Sequence, residues 1–142
     1  MDKTVKFFTL GCKVNQYDAE VLKEHFLNTG FKELKSGLKA DVYVVNTCTV
    51  THAADRKSRY YIQYARRSNP QAKIFVAGCL AELSSDRVLS MPGVTQVLKR
   101  RDAEDILNVS SGISDFSGRT RAFLKVQDGC NRFCSYCIVP LV

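Results

Sequence analysis

The sequence predicts an α/β fold, an open parallel sheet of about four to five strands flanked by helices. β-rich and helix-like segments alternate with short links along the first 110 residues. The segments at residues 41–46 and 73–78 are apolar on both faces, as strands buried in a parallel sheet are. This alternation is typical of βαβ units, which place helices on the faces of the sheet.

The first elements are a strand and a helix. Residues 5–10 form a β-rich run that ends at Gly11. The run Asn15-Gln16-Tyr17-Asp18 resembles a helix start, with Asn15 as the capping residue and an acid three residues later. The helix is expected to stop near Gly30.

The same alternation continues to residue 110. It predicts strands at residues 41–46, 73–78 and 94–98, and helices at residues 53–67, 84–90 and 102–107. Residues 111–120 are rich in Ser and Gly and are interpreted as a linker. Residues 121–126 predict a new strand that leads into a group of cysteines, so the expected units are 1–110, 111–120 and 121–142.

Composition excludes some classes of protein. The 142 residues are 45% hydrophobic and 25% charged, which is ordinary for a globular domain. No apolar run reaches the ~18 residues that cross a bilayer, and the first residues lack a signal peptide, so a cytoplasmic protein without membrane contact is expected. The net charge of +7 suits a polyanion such as RNA, and equally suits simple solubility.

Three cysteines, Cys130, Cys134 and Cys137, lie within eight residues. Three thiolates can hold three irons of a four-iron cube and leave the fourth iron open to S-adenosylmethionine, which a reduced cluster can cleave to a radical. Gly129 permits a tight turn, and Tyr136 can lie against the adenine. The alternative is a zinc knuckle with one remote ligand, but no second Cys pair or nearby His completes it.

The other three cysteines, Cys12, Cys48 and Cys79, each follow one of the first three predicted strands. Parallel strands end at one edge, where open α/β sheets bind ligands, and neighbouring strands lie ~4.8 Å apart. The pattern predicts a second cube there, with Gly11 and Gly78 allowing close approach of the backbone. The alternative is three small buried residues at strand ends.

Four strings together resemble the methylthiotransferase family of radical S-adenosylmethionine enzymes. They are TLGCKVNQYD at residues 9–18, NTCTVT at 46–51, AGC at 77–79 and VQDGCNRFCSYC at 126–137. GCKVNQ at residues 11–16 and TVTHAADRKSR at 49–59 resemble the branch that acts on N6-threonylcarbamoyladenosine at position 37 of tRNA.

The resemblance implies a transferase that inserts a methylthio group at C2 of that adenosine. It implies that two 4Fe-4S clusters and S-adenosylmethionine are the cofactors and that tRNA is the partner. Cys130, Cys134 and Cys137 would hold the radical-generating cluster, and the other triplet the cluster that carries the inserted sulfur. The sulfur donor and the electron donor stay unidentified.

The family continues beyond Pro140 into a radical barrel, whereas this sequence ends at Val142. Residues 121–142 are therefore expected to be the truncated start of that barrel, and the chain alone to be inactive. Two other interpretations stay open, a non-catalytic cluster- or tRNA-binding module and methylthiolation of a ribosomal protein. The string Lys13-Val14-Asn15 favours tRNA over the protein substrate.

Several polar residues have two interpretations each. His25 is expected to be a packing or surface residue, while His52 can contact a cluster ligand, the substrate or neither. Asn15 and Asn46 can cap a helix or hydrogen-bond near the cluster.

The most basic predicted helix begins just after Cys48. Arg56 and Arg59 share one of its faces, where they contact tRNA phosphates or simply solvent. Its basic residues are Arg56, Lys57, Arg59, Arg66 and Arg67.

Overall fold

The computed structural model of this chain describes residues 3–37, 39–99, 113 and 123–142. Five strands and four α-helices are defined within them, with a short 3₁₀ turn near the end. The strands are β1 (Thr4–Thr9), β2 (Lys32–Glu33), β3 (Val42–Thr47), β4 (Lys73–Gly78) and β5 (Val94–Leu98). The helices are α1 (Lys13–Asn28), α2 (His52–Ser68), α3 (Cys79–Leu83) and α4 (Ser85–Leu89), and the 3₁₀ turn is Val139–Leu141.

All five strands pair in parallel, in the order β2-β1-β3-β4-β5. The predicted open parallel sheet with flanking helices is therefore confirmed. β2 lies on one side of β1, and β3 and the later strands lie on the other. The strand order therefore reverses between the neighbouring strands β1 and β3. In open α/β sheets the crevice beyond the carboxyl ends of such strands is where ligands bind.

Apolar side chains fill both faces of the sheet. β3 is buried at every position, which explains its continuous apolar run. On one face Leu22 and Phe26 of α1 pack with Val44. On the other face Ile62 of α2 packs with Val45 in a separate cluster. The two layers hold the strand ends, and the residues that follow them, in fixed relative positions.

Element boundaries differ from the predictions at a few places. The strands at residues 73–78 and 94–98 are confirmed. The helix predicted at residues 84–90 is confirmed as α4, whereas the short helix α3, which begins at Cys79, was not predicted. The strand β2 was missed because two polar residues carry no alternating pattern, and only the edge of β1 makes them a strand.

The prediction of a strand at residues 121–126 is wrong for the part that the structure describes. Residues 123–126 are not part of a strand and pair with no other described strand, and a strand exists only with a hydrogen-bonding neighbour. The predicted helix at residues 102–107 lies outside the described residues, as does the linker at 111–120 apart from residue 113. Among the described residues, no helix combines the length and apolar character needed to cross a membrane.

Candidate metal centre

The three cysteines that follow strands lie beyond one edge of the sheet. Cys12 is the N-cap residue of α1, Cys48 follows β3 directly, and Cys79 is the first residue of α3. Thr47 pairs with Gly78 in the ladder, so Cys48 and Cys79 leave neighbouring strands at the same level. Cys12 is exposed, whereas Cys48 and Cys79 are buried.

The exit of β1 lies against Cys48. Gly11 has a φ of +96°, and a Cβ added there would lie 2.9 Å from Cys48 Cβ and 3.0 Å from Cys48 Sγ. The thiol of Cys48 therefore packs against the backbone that immediately precedes Cys12. A side chain at Gly11 would occupy that space, which is the close approach that the sequence predicted.

Asn15 joins the exits of β1 and β3. It lies in the first turn of α1 and its side-chain amide donates to the backbone oxygen of Leu10 and, at 2.9 Å, to that of Thr47. The amide of Asn46 donates to the backbone oxygen of Asn15 at 2.6 Å. The capping interpretation of Asn15 is wrong, since Cys12 is the N-cap and makes no side-chain cap bond. Asn15 instead ties two strand ends together beside Cys48.

Ser58 holds the backbone of Cys48. Its hydroxyl oxygen is fully buried on α2 and accepts from the Cys48 backbone N–H at 3.0 Å. The same oxygen lies 2.9 Å from the carbonyl oxygens of Cys48 and Ala54, to either of which it can donate. This role of Ser58 was not predicted. The only signal was a small polar residue ten positions after Cys48 inside a basic helix, which resembles an ordinary surface serine.

Replacing Ser58 with alanine is expected to lower the free energy of unfolding by about 1–3 kcal/mol, because the buried Cys48 N–H loses its acceptor. Urea unfolding of the 142-residue chain measures it. Ser90→Ala is the matched control, since the Ser90 hydroxyl donates to a helix-end carbonyl in an exposed place. Its cost is expected to stay within about 0.5 kcal/mol. Equal effects of the two substitutions would contradict a buried clamp at Cys48.

In the part of the chain that the structure describes, the thiols are not grouped around a site for a single metal ion. Within residues 3–37, 39–99, 113 and 123–142, no group of three or more His, Cys, Asp or Glu is placed to bind one ion. A four-iron cube sets a different requirement, since each thiolate binds a different iron. Sulfur donors following neighbouring parallel strands, with a glycine in place of a side chain beside Cys48, are compatible with such a group. The cluster at Cys12, Cys48 and Cys79 stays a prediction.

The second triplet lies in an exposed loop. Cys137 N–H donates to the Cys134 carbonyl at 3.0 Å, which closes a turn around Tyr136. Phe133, next to Cys134, has a φ of +50°, a left-handed conformation that is unusual for an aromatic residue. Tyr136 is 90% exposed, so its ring is accessible to a ligand. The roles of Tyr136 and of these cysteines stay predictions.

The two histidines lie in different environments. His25 is in the last turn of α1, where its ring packs edge-on against Phe26. Burial lowers the pKa of His25 from its ordinary value of 6.5, and the neutral ring suits the packing role. His52 is the exposed first residue of α2, four positions after Cys48. Its contact with a ligand stays a prediction.

The basic residues of α2 lie in two groups, one at each end of the helix. Arg59 is partly buried and pairs with Asp55 at 2.9 Å. Arg56 and Lys57 are exposed in the half of α2 nearest Cys48. Arg66 and Arg67 instead line a cavity of about 510 Å³ near the far end of the helix. Only part of the basic set therefore shares the cysteine edge.

Comparison with known proteins places the chain among relatives. Residues 4–99 match the sequence profile described as "Uncharacterized protein family UPF0004". The threonylcarbamoyladenosine tRNA methylthiotransferase MtaB of Bacillus subtilis is 40% identical over 161 aligned residues, which cover 96% of this chain and 36% of that protein. The protein of the same name from Chlamydia pneumoniae is 40% identical, with 96% of this chain and 35% of that protein covered.

A relative with another name is more distant. The tRNA-2-methylthio-N(6)-dimethylallyladenosine synthase of Thermodesulfovibrio yellowstonii is 28% identical over 97% of this chain and 37% of its own length. The chain thus spans about a third of the length of the curated relatives it matches. The profile match covers all five strands of the described sheet, and the resemblance seen in the cysteine motifs agrees with the relatives' names. The chain belongs to the family UPF0004, that of the methylthiotransferases, and within it to the MtaB branch.

Proposed function

We propose that this chain is the cluster-binding part of a tRNA methylthiotransferase that acts on N6-threonylcarbamoyladenosine at position 37. The reaction is the insertion of a methylthio group at C2 of the adenine. The observation that carries the proposal is the presence of two cysteine triplets of different kinds. One follows three parallel strands, and the other lies in a single exposed loop.

Two triplets suit a reaction that has two separate tasks. Bound iron–sulfur clusters would supply an electron that cleaves S-adenosylmethionine and an iron site that carries the inserted sulfur. Cys12, Cys48 and Cys79 would hold one cluster at the crevice of the sheet, and Cys130, Cys134 and Cys137 the other.

The surrounding residues act on the position of the cysteines. Ser58 and Asn15 fix the backbone at the β1 and β3 exits, so the Cys48 thiol keeps its place against Gly11. The exposed ring of Tyr136 offers a face on which the adenine of S-adenosylmethionine can stack.

The proposed RNA contact is the half of α2 that shares the cysteine edge. Arg56 and Lys57 lie in its first turns and are exposed. Phosphates attract such side chains, and the displaced counterions add to the affinity. Arg66 and Arg67 lie ~15 Å further along the helix at 1.5 Å per residue.

We also place the protein in the cytoplasm, because the proposed substrate is tRNA.

Reversing the charges near the cysteines is expected to weaken tRNA binding more than the same change at the far end of α2. Arg56→Glu with Lys57→Glu should lower the affinity of the chain for tRNA about tenfold and reduce its salt dependence by about one to two phosphate contacts. Arg66→Glu with Arg67→Glu is the matched control, with the same change in net charge. Fluorescence anisotropy with labelled tRNA at several salt concentrations measures both. Equal losses would show that only net charge matters and would contradict a local contact.

Nucleoside analysis tests the function itself. The gene that encodes this chain is deleted in its own organism, and total tRNA is digested and analysed by mass spectrometry. The proposal expects loss of the methylthio form of threonylcarbamoyladenosine and accumulation of the form that lacks the methylthio group. Expression of the intact gene should restore the modification, and genes carrying Cys12→Ala or Cys134→Ala should not. Unchanged tRNA in the deletion strain would refute the proposal, and loss of a methylthio group from a ribosomal protein would support the other substrate.

A further inference from the structure

The segment that leads into the second cysteine triplet lies against α1. Its residues alternate in exposure, because Phe123 and Lys125 are partly covered while Leu124 and Val126 are 84% and 86% exposed. Alternation is the expected pattern of an extended chain with one face against a surface. The covered residues are therefore the ones that dock this segment.

An ion pair joins the segment to α1. Lys125 Nζ lies 2.8 Å from Asp18 Oδ1 and 3.1 Å from Asp128 Oδ2, so one ammonium group bridges two carboxylates. Asp18 and Lys125 are 107 residues apart in sequence, and both side chains are largely shielded from solvent. A charge-assisted hydrogen bond in such a place is stronger than one between exposed side chains.

Two aromatic contacts flank the ion pair. Lys125 Nζ lies 5.5 Å from the centre of the Tyr17 ring, within the range of a cation–π interaction. One turn earlier on α1, Lys13 Nζ lies 5.2 Å from the centre of the Phe123 ring. Lys13 and Tyr17 are four residues apart and share a helix face, so the segment follows that face.

The protonation of Lys125 agrees with this role. Burial lowers its pKa, but the hydrogen bonds to Asp18 and Asp128 and their negative charges outweigh that effect. The pKa lies above its ordinary value of 10.5, so the ammonium group is charged at neutral pH.

The position of these contacts relates the two triplets. Lys13 is the residue next to Cys12, and Cys130 follows Lys125 by five residues. Five residues of chain span at most about 18 Å. A segment held at Lys125 therefore keeps the Cys130 loop within a short reach of the helix that begins at Cys12.

We propose that Lys125 and Asp18, assisted by Lys13 with Phe123 and by Tyr17, form an ionic latch that positions the Cys130 loop relative to the Cys12 edge of the sheet. The latch residues are positioning residues, since they act through the chain segments that carry the cysteines. The consequence for catalysis rests on the proposed function. The docking itself does not, because it involves no iron, S-adenosylmethionine or tRNA.

Carbodiimide cross-linking tests the contact directly. The reagent activates a carboxylate and joins it to an adjacent amine as an amide, with loss of water. Treatment of the 142-residue chain should yield a peptide pair that links Asp18 to Lys125. The Lys23–Glu33 pair, 3.0 Å apart between α1 and β2, is the internal positive control. A linked Lys23–Glu33 peptide without a linked Asp18–Lys125 peptide would overturn the latch.

A single tryptophan measures the docking equilibrium. The chain contains no Trp, so Phe123→Trp introduces a unique fluorophore that keeps the aromatic contact with Lys13. In this background Asp18→Asn or Lys125→Met should lower the docking equilibrium constant about tenfold. Acrylamide quenching should rise toward the value of a free tryptophan side chain. Lys125→Arg, which keeps the positive charge, should restore docking.

Three controls separate docking from folding. Lys23→Met removes another α1 ion pair and should leave the tryptophan signal unchanged. The thermal unfolding midpoint should stay near that of the parent in every docking variant, because none of the exchanged side chains lies in the core. The double variant Asp18→Asn with Lys125→Met should match Lys125→Met alone, as expected if Asp18 holds the segment through Lys125. Additive effects, or no effect of either single variant, would overturn the latch.

The role in catalysis is tested by measuring the methylthio fraction of tRNA in cells. If Lys125→Met undocks the segment but the gene carrying it restores methylthio-tRNA fully, the positioning role is wrong and the proposed function stands. If deletion of the gene leaves tRNA unchanged, the proposed function is wrong and the docking result stands. The expected result is a reduced methylthio fraction for Lys125→Met and a restored fraction for Lys125→Arg.

Discussion

Replacing Gly78 with alanine is expected to lower the free energy of unfolding by about 3 kcal/mol or more. Gly78 ends β4 with a φ of +87° and a ψ of −168°, a combination open essentially to glycine alone. An added Cβ would overlap the backbone oxygen of Thr47 and lie 2.5 Å from Asn46 Oδ1 and 2.8 Å from Thr47 N. These are atoms of the neighbouring strand end, which the sheet holds rigidly, so they cannot move away cheaply.

Gly30→Ala is the matched control for this effect. Gly30 has a similar φ of +89°, but an added Cβ there would meet nothing within 4 Å. Its cost is expected to be about 1 kcal/mol, from the backbone conformation alone. The excess at Gly78 then measures the crowding between the exits of β3 and β4. Urea unfolding with equal m-values measures both variants, and equal losses would contradict close packing beside Cys48 and Cys79.

The second large effect concerns iron. Anaerobic reconstitution of the chain with iron and sulfide is expected to yield about eight irons per chain if both triplets hold four-iron clusters. Cys12→Ala and Cys134→Ala should each lower this to about four, and the double variant should retain almost none. Both cysteines are exposed, so their replacement leaves no cavity in the core.

Ser135→Ala is the control in the second loop, since Ser135 is exposed beside Cys134 and carries no sulfur. Its iron content should match that of the parent. Iron and zinc are counted on the same samples by elemental analysis, and visible absorption follows the clusters. About four irons per chain in the parent, lost in only one of the two cysteine variants, would show that only one triplet binds a cluster. Zinc without iron would refute both.

Much of the fold could be predicted from local pattern. β4 and β5 were placed at their observed boundaries because short apolar runs bounded by turn residues depend only on neighbours in sequence. The predicted cap of α1, Asn15, lies three residues after the observed N-cap, Cys12, since Asn15 resembles a cap by residue type. In the structure its amide donates hydrogen bonds to backbone oxygens just after β1 and at the end of β3, which are more than thirty residues apart in sequence. The hydrogen bond to Thr47, which is distant in sequence, therefore outweighs the local preference of Asn for the cap position.

The candidate site divides in the same way. The family, the six cysteines and their location at one sheet edge and in one loop could be predicted from local motifs, because spacing and strand order follow from the order of residues. The contact of Ser58 with the Cys48 backbone and the ion pair of Lys125 with Asp18 could not. These contacts join residues on different elements, and their existence depends on how the helices lie on the sheet. Burial and distance arise only when the chain is packed, so no local pattern contains them.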